Sequence, residues 1–241
     1  MSGTVATNPA RLVDPGEPVE ISGPPPRFVG RGGEKLDAAL DRFAISVDGR
    51  RAVDAGASTG GFTDGLLQRG AERVVAIAVG RNQLHERLRA DPRVDSRERT
   101  NIRRVTADDV GGVVPLVVAD LSFISLRSVA DALVGLAADG ADLVLLVKPQ
   151  FEASKGEASK GRGVITDPAV WRRVLGEVCG ALRDRGAAIM GLMVSPLRGA
   201  DGNVEFLLHA RAHGPMPGPV DDAAIAAVVA AAAVDRAEGR R

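Results

Sequence analysis

Apolar positions along the 241-residue chain follow two periods. Short, nearly unbroken apolar runs at 52–55, 73–79, 115–120, 141–147 and 187–194 have the length of buried strands. Between them apolar residues recur every three or four positions, as in a helix with one buried face. Leu36, Leu40 and Phe43 do so within 33–43, Phe62, Leu66 and Leu67 after the first run, and Leu126, Val129, Leu133 and Leu136 after the third. A further helical pattern at 83–90 stops before Asp91-Pro92. Another opens at Asp167-Pro168, a cap followed by a first-turn proline, and runs to about 185. Residues 204–210 read as a last strand, separated from 187–194 only by the loop 195–202, so these two pair antiparallel. Asp221 can cap a terminal helix through 233. Strands alternating with helices predict an α/β fold, a mostly parallel sheet with helices on both faces and one antiparallel strand in a C-terminal hairpin.

Residues 1–27 lack any such period, are polar and proline-rich, and are expected to be disordered; the folded domain then covers 28–241. Lys+Arg and Asp+Glu both number 31, which argues against attachment to nucleic acid by net charge alone. The single cysteine, Cys179, excludes an intrachain disulfide and a multi-cysteine metal site, and reads as a buried apolar residue. His85, His209 and His213 have no metal-ligand spacing. Neither a signal-like N-terminus nor a membrane-length apolar run occurs, so a cytoplasmic protein without membrane attachment is expected.

The candidate chemistry gathers at strand ends. Asp54 and Gly56 close the first run, and Gly60 and Gly61 follow Ala57, Ser58 and Thr59 into a helix start. Such a turn lets the backbone double back, and the helix start offers free N–H groups to the polar part of a nucleotide-like cofactor. Asp120 ends one buried strand and Lys148 the next, so two costly charges point to the edge where α/β sheets bind ligands. Lys35 begins the first helix, and Glu205 sits early in the last strand. In isolation both are ordinary surface charges. The tandem Glu152-Ala-Ser-Lys-Gly156 and Glu157-Ala-Ser-Lys-Gly161 reads as a mobile loop that buries nothing, either a linker or a flap over the site.

Six motifs in order carry a family resemblance: Arg31-Gly-Gly-Glu-Lys-Leu36, the stretch from Asp54 to Asp64, Arg99-Thr-Asn101, Val118-Ala-Asp-Leu-Ser-Phe-Ile-Ser125, Val147-Lys-Pro-Gln-Phe-Glu152 and Gly199-Ala-Asp-Gly-Asn-Val-Glu-Phe206. Over 28 to about 210 the chain resembles the TlyA-type hemolysin/ribosomal RNA methyltransferases, within the wider FtsJ-like 2′-O-methyltransferases. The resemblance implies a Rossmann-like class I methyltransferase with a seven-stranded sheet that uses S-adenosylmethionine. It also implies a catalytic Lys-Asp-Lys-Glu set, here Lys35, Asp120, Lys148 and Glu205. Lys148 would be the base, favoured by burial and by the second cation Lys35, with Asp120 and Glu205 orienting the lysines. Asp54, Gly56, Ser58, Thr59, Gly60, Gly61, Phe62 and Asp120 would hold the methionine part and ribose of the cofactor. Asn101 and Ile102 would border its adenine, and Arg31 a phosphate or carboxylate.

Three departures from the family pattern mark a divergent member. Residues 1–27 stand where the family carries an S-four-like RNA-binding domain. Ala78 stands where an acidic residue ordinarily bonds the cofactor ribose, with Asn82 or water as substitutes. Arg81 and Asn82 replace a usual Tyr and Gly. The implied partner is RNA or a ribosomal subunit, with cytidine as the nucleoside. A small hydroxyl- or amine-bearing metabolite is the alternative substrate, and a non-catalytic binding protein of the same fold is a third reading.

Overall fold

The computed structural model describes Asp14, Gly16 and residues 26–213 and 220–239. Most of the predicted proline-rich tail thus lies outside the described residues. Arg27, at its end, is held to the domain: its guanidinium pairs with Asp37 and its carbonyl accepts from Gln68.

The chain runs α1 (Gly32–Arg42), β1 (Arg51–Ala55), α2 (Gly61–Gln68), β2 (Arg73–Ile77), α3 (Glu86–Arg89) and β3 (Val94–Arg97). It continues through β4 (Val114–Ala119), α4 (Ala130–Gly135), β5 (Ala137–Val147), α5 (Pro149–Glu152) and α6 (Lys155–Lys160). It ends with α7 (Pro168–Arg183), β6 (Ala187–Val194), β7 (Phe206–Ala212) and α8 (Asp222–Ala237). One seven-stranded sheet has the order β3-β2-β1-β4-β5-β7-β6. All neighbours pair parallel except β7, which is antiparallel to both β5 and β6. The single reversed strand agrees with the sequence pattern.

The pleat divides the core. Val53, Val75, Val117, Leu143 and Leu145 face α4, α7 and α8, whereas Ala52, Val74, Leu116, Val144 and Leu207 face α1 and α2. Trp171 on α7 is fully buried, lies edge-on to Phe206 and donates its indole N–H to the Ile165 carbonyl.

Several elements differ from expectation. The helix expected at 83–90 is a single turn, because His85 caps it by accepting from the Arg87 amide. The last strand starts at Phe206, so Glu205 precedes it rather than lying within it. The tandem repeat is the clearest correction. Its middle is α6, opened by a reciprocal capping box between Ser154 and Glu157 and tied by Arg173 to both Glu157 oxygens at 2.7 and 2.8 Å. Nor does the repeat bury nothing, since Glu152, its first residue, is only 3% exposed.

Candidate active site

Asp120 and Lys148 are the first residues past β4 and β5, which places both at the carboxyl edge of the sheet. Lys148 Nζ lies 2.6 Å from Asp120 Oδ1. The contact is an ion pair without hydrogen-bond angles, since the hydrogen bond from Nζ goes to Ser122 Oγ at 3.0 Å. Glu205 reaches the same edge by the opposite route. Val147 pairs with Phe206 across the antiparallel β5–β7 ladder, so the next step out sets Lys148 opposite Glu205. Glu205 in turn forms an ion pair with Lys35, and both side chains are buried, at 3% and 8% exposure. The four predicted residues thus close as two ion pairs on neighbouring strand ends.

The glycine turn is packed closely against other segments of the chain. Gly56 has φ +94°, and a Cβ there would lie 2.5 Å from the Asp120 carbonyl. Gly60 has φ +100°, and a Cβ there would strike Leu88. Gly61 packs against the backbone of Gly32 and Gly33, which lets α1 and α2 touch. These glycines therefore bring protein segments together around a small cleft. Gly32, Gly56, Ala57, Ser58, Thr59, Gly61, Phe62 and Asp120 line a cavity of about 100 Å³ there. Ser58 and Thr59 are exposed at its rim, and Ser58 itself has φ +48°.

Asp54 is completely buried beneath this turn. Thr63 donates to its Oδ2 at 2.7 Å, while Oδ1 has no hydrogen-bond partner. Burial, with the nearby Asp120 charge adding to it, pushes its carboxyl up to about 7. The folded chain then keeps a proton that the unfolded chain has lost, so stability is full near pH 4 and falls as pH rises to about 7. A shift of this size corresponds to roughly 4 kcal/mol. Asp54→Asn keeps an acceptor for Thr63 and is expected to flatten that slope. Urea unfolding of both proteins at pH 5 and pH 8 checks it, and parallel profiles would refute the buried proton.

Among the described residues, Asp54 is one of four with a buried side-chain oxygen lacking a hydrogen-bond partner; the others are Glu98, Asp120 and Gln150. All four stand at or just past the carboxyl ends of β1, β3, β4 and β5. Buried acceptors are ordinarily satisfied; the Asp54 oxygen can carry the retained proton and the Asp120 oxygen faces the Lys148 ammonium, which leaves those of Glu98 and Gln150 without a partner.

The remaining candidates divide. Asn101 is exposed and caps the 3₁₀ turn Ile102–Arg104 by accepting from the Arg103 amide. Ile102 is 4% exposed and packs into the core on the α4 face. Arg31 is exposed at the start of α1. Ala78 lies just past β2, and Asn82 is exposed with φ +54°.

Two supporting residues had no role in the sequence reading. Asp64 accepts from the Val29 amide at 2.8 Å and from Arg87 at 2.9 Å, pinning the start of the domain to α2 and α3. Glu152 accepts from Ser125 Oγ and the Leu126 amide, both at 2.5 Å. Arg127 adds bonds to the Glu152 side chain and carbonyl at 3.2 and 2.7 Å. Glu152 thereby clamps the loop after Asp120 to the turn after Lys148. In that loop Phe123 is 91% exposed with φ +63°, and its ring lies 5.1 Å from that of Phe151.

Among the described residues no cluster of side chains suits a metal ion, and no helix is long and apolar enough to cross a membrane. Comparison with known proteins agrees with the geometry. The FtsJ-like methyltransferase family matches residues 28–212. A relative from Mycobacterium tuberculosis, the 16S/23S rRNA (cytidine-2'-O)-methyltransferase TlyA, is 54% identical over 184 residues, covering 76% of this chain and 68% of the relative. A solved structure from Streptococcus thermophilus that carries a hemolysin name is 40% identical with a TM-score of 0.83, covering 90% of this chain and 79% of that one. The N-methyltransferase NodS from Bradyrhizobium japonicum, solved with S-adenosyl-l-homocysteine, shares the fold alone: TM-score 0.54, 16% identity, covering 76% of this chain and 88% of that one. The chain belongs to the FtsJ-like methyltransferase family, in its TlyA-type branch.

Proposed function

We propose that this protein transfers a methyl group from S-adenosylmethionine to the ribose 2′-hydroxyl of a cytidine in ribosomal RNA. The observation that carries the reading is Lys148, held by Ser122 and by Asp120, a residue that lines the glycine cleft. The cofactor fits the residues present. The cleft at Gly56–Phe62 suits its methionine part, and Asp120 lines the same cleft. When bound, S-adenosylmethionine supplies an electrophilic methyl group.

The chain's own residues do the rest. Lys148, once it has released its own ammonium proton to solvent, takes the proton from the 2′-hydroxyl, a poor nucleophile until that proton leaves. Asp120 and Ser122 fix the position of Nζ, and the Lys35–Glu205 pair buttresses the neighbouring strand end. Positioning supplies much of the rate, because methyl transfer needs an in-line approach. The Phe123–Phe151 pair supports a nucleotide substrate. Phe151 lies 5.8 Å from Lys148 Nζ, and the exposed Phe123 ring gives an unstacked base a surface to lie on.

Labelled methyl transfer to isolated ribosomal subunits tests the reading. Incorporation at a cytidine whose ribose then resists alkaline cleavage is the expected result. Unlabelled subunits from an enzyme that binds the cofactor would exclude ribosomal RNA and turn the search to a small hydroxyl- or amine-bearing substrate.

A further inference from the structure

We infer that Glu98 is the carboxylate that receives the ribose hydroxyls of the cofactor, taking over from the acidic residue absent at position 78. The inference rests on the cofactor reading above. In the parallel β2–β3 ladder Ile77 stands opposite Arg97, so one step further Ala78 stands opposite Glu98. The backbone fixes that neighbourhood from both sides. Ala78 donates its amide to the Arg97 carbonyl at 3.0 Å, Thr100 donates to the Ala78 carbonyl at 2.9 Å, and Arg99 donates to the Gly80 carbonyl at 3.1 Å. Residues 97–100 therefore wrap directly beside 78–80.

The displacement from the usual carboxylate position is one strand, about 4.8 Å. Glu98 also has one more methylene than an aspartate with which to cover part of it.

The state of the side chain points to a ligand. Glu98 is partly buried, and its Oε1 is out of contact with water and has no hydrogen-bond partner. The adjacent groups are engaged elsewhere. Arg97 is bound to Asp95 at 2.8 and 2.9 Å, and the Thr100 hydroxyl donates to the backbone carbonyl of Glu98. A buried acceptor without a donor is costly. A vicinal diol supplies two O–H donors, and a carboxylate has an oxygen for each. Asn82, the substitute expected from the sequence, is exposed and an amide, so it lacks that matched pair of acceptors.

Titration calorimetry on the full chain with S-adenosylhomocysteine and its 2′-deoxy analogue tests the assignment. Glu98→Gln is expected to weaken S-adenosylhomocysteine binding about 10- to 100-fold, as for loss of a charge-assisted hydrogen bond. The variant should also lose the wild-type preference for the ribose form over the deoxy form, a ratio that a general loss of structure would not alter selectively. Adding Ala78→Asp to Glu98→Gln should restore both affinity and preference. The assignment is overturned by affinity within threefold of wild type, or by weakened binding that keeps the full preference. Wild-type protein that binds no S-adenosylhomocysteine at millimolar concentration would instead overturn the cofactor reading itself.

Discussion

Lys148→Ala is expected to lower methyl transfer by about 10²- to 10⁴-fold, the range for removal of a general base. Cofactor affinity should stay within about twofold, because Lys148 does not line the glycine cleft. Lys148→Arg should be nearly as inactive, since a guanidinium keeps the charge beside Asp120 but does not give up its proton. Single-turnover methyl transfer with saturating cofactor, measured beside cofactor titrations, separates the chemical step from binding. Activity of Lys148→Ala within threefold of wild type would remove Lys148 from the role of base.

The second large effect falls on stability. Lys35 and Glu205 are both buried, and they are each other's ion-pair partner across 170 positions of sequence. Lys35→Met leaves the Glu205 charge buried and unmatched, and Glu205→Gln does the same to Lys35. Each single change should cost about 3–5 kcal/mol. The double variant should be much less unstable than the sum of the two, because it leaves neither charge stranded. Urea denaturation of the four proteins measures this coupling. Additive losses would mean that the two side chains do not meet in solution.

The strands and the glycine turn were legible because each depends on local pattern. Apolar runs at 52–55 and 115–120 could only be buried strands, and Asp120 and Lys148 fall at strand ends by counting alone. Lys35 and Glu205 were legible only through the family resemblance, because nothing local shows that their separate segments meet. Glu152 stayed hidden for the same reason. In a polar repeat it looks solvated, and its main partners, Ser125, Leu126 and Arg127, come from a distant loop. The α6 helix has a local signal of its own. Ser154-Lys-Gly-Glu157 has the spacing of a capping box, although the run of glycine, serine and lysine favours a loop by composition. The displaced start of β7 reflects its loop: Ser195 donates to the Glu205 carbonyl and Gly199 to that of Asn203, so these residues serve the turn before the ladder begins.

The reversed direction of β7 also orders the way the site is assembled. A parallel strand delivers its active-site residue as it ends, but β7 delivers Glu205 just before it begins. On a chain emerging from its N-terminus, the glycine turn, Asp120 and Lys148 are all made before Glu205 exists. Until β7 docks, Lys35 has no carboxylate to meet it, and its burial is opposed by the full cost of a lone charge. The cleft can therefore take shape early, while pairing of Lys35 with Glu205 waits on the last strand of the chain. A truncated product lacking that strand would carry the glycine turn, Asp120 and Lys148 without the Lys35–Glu205 pair.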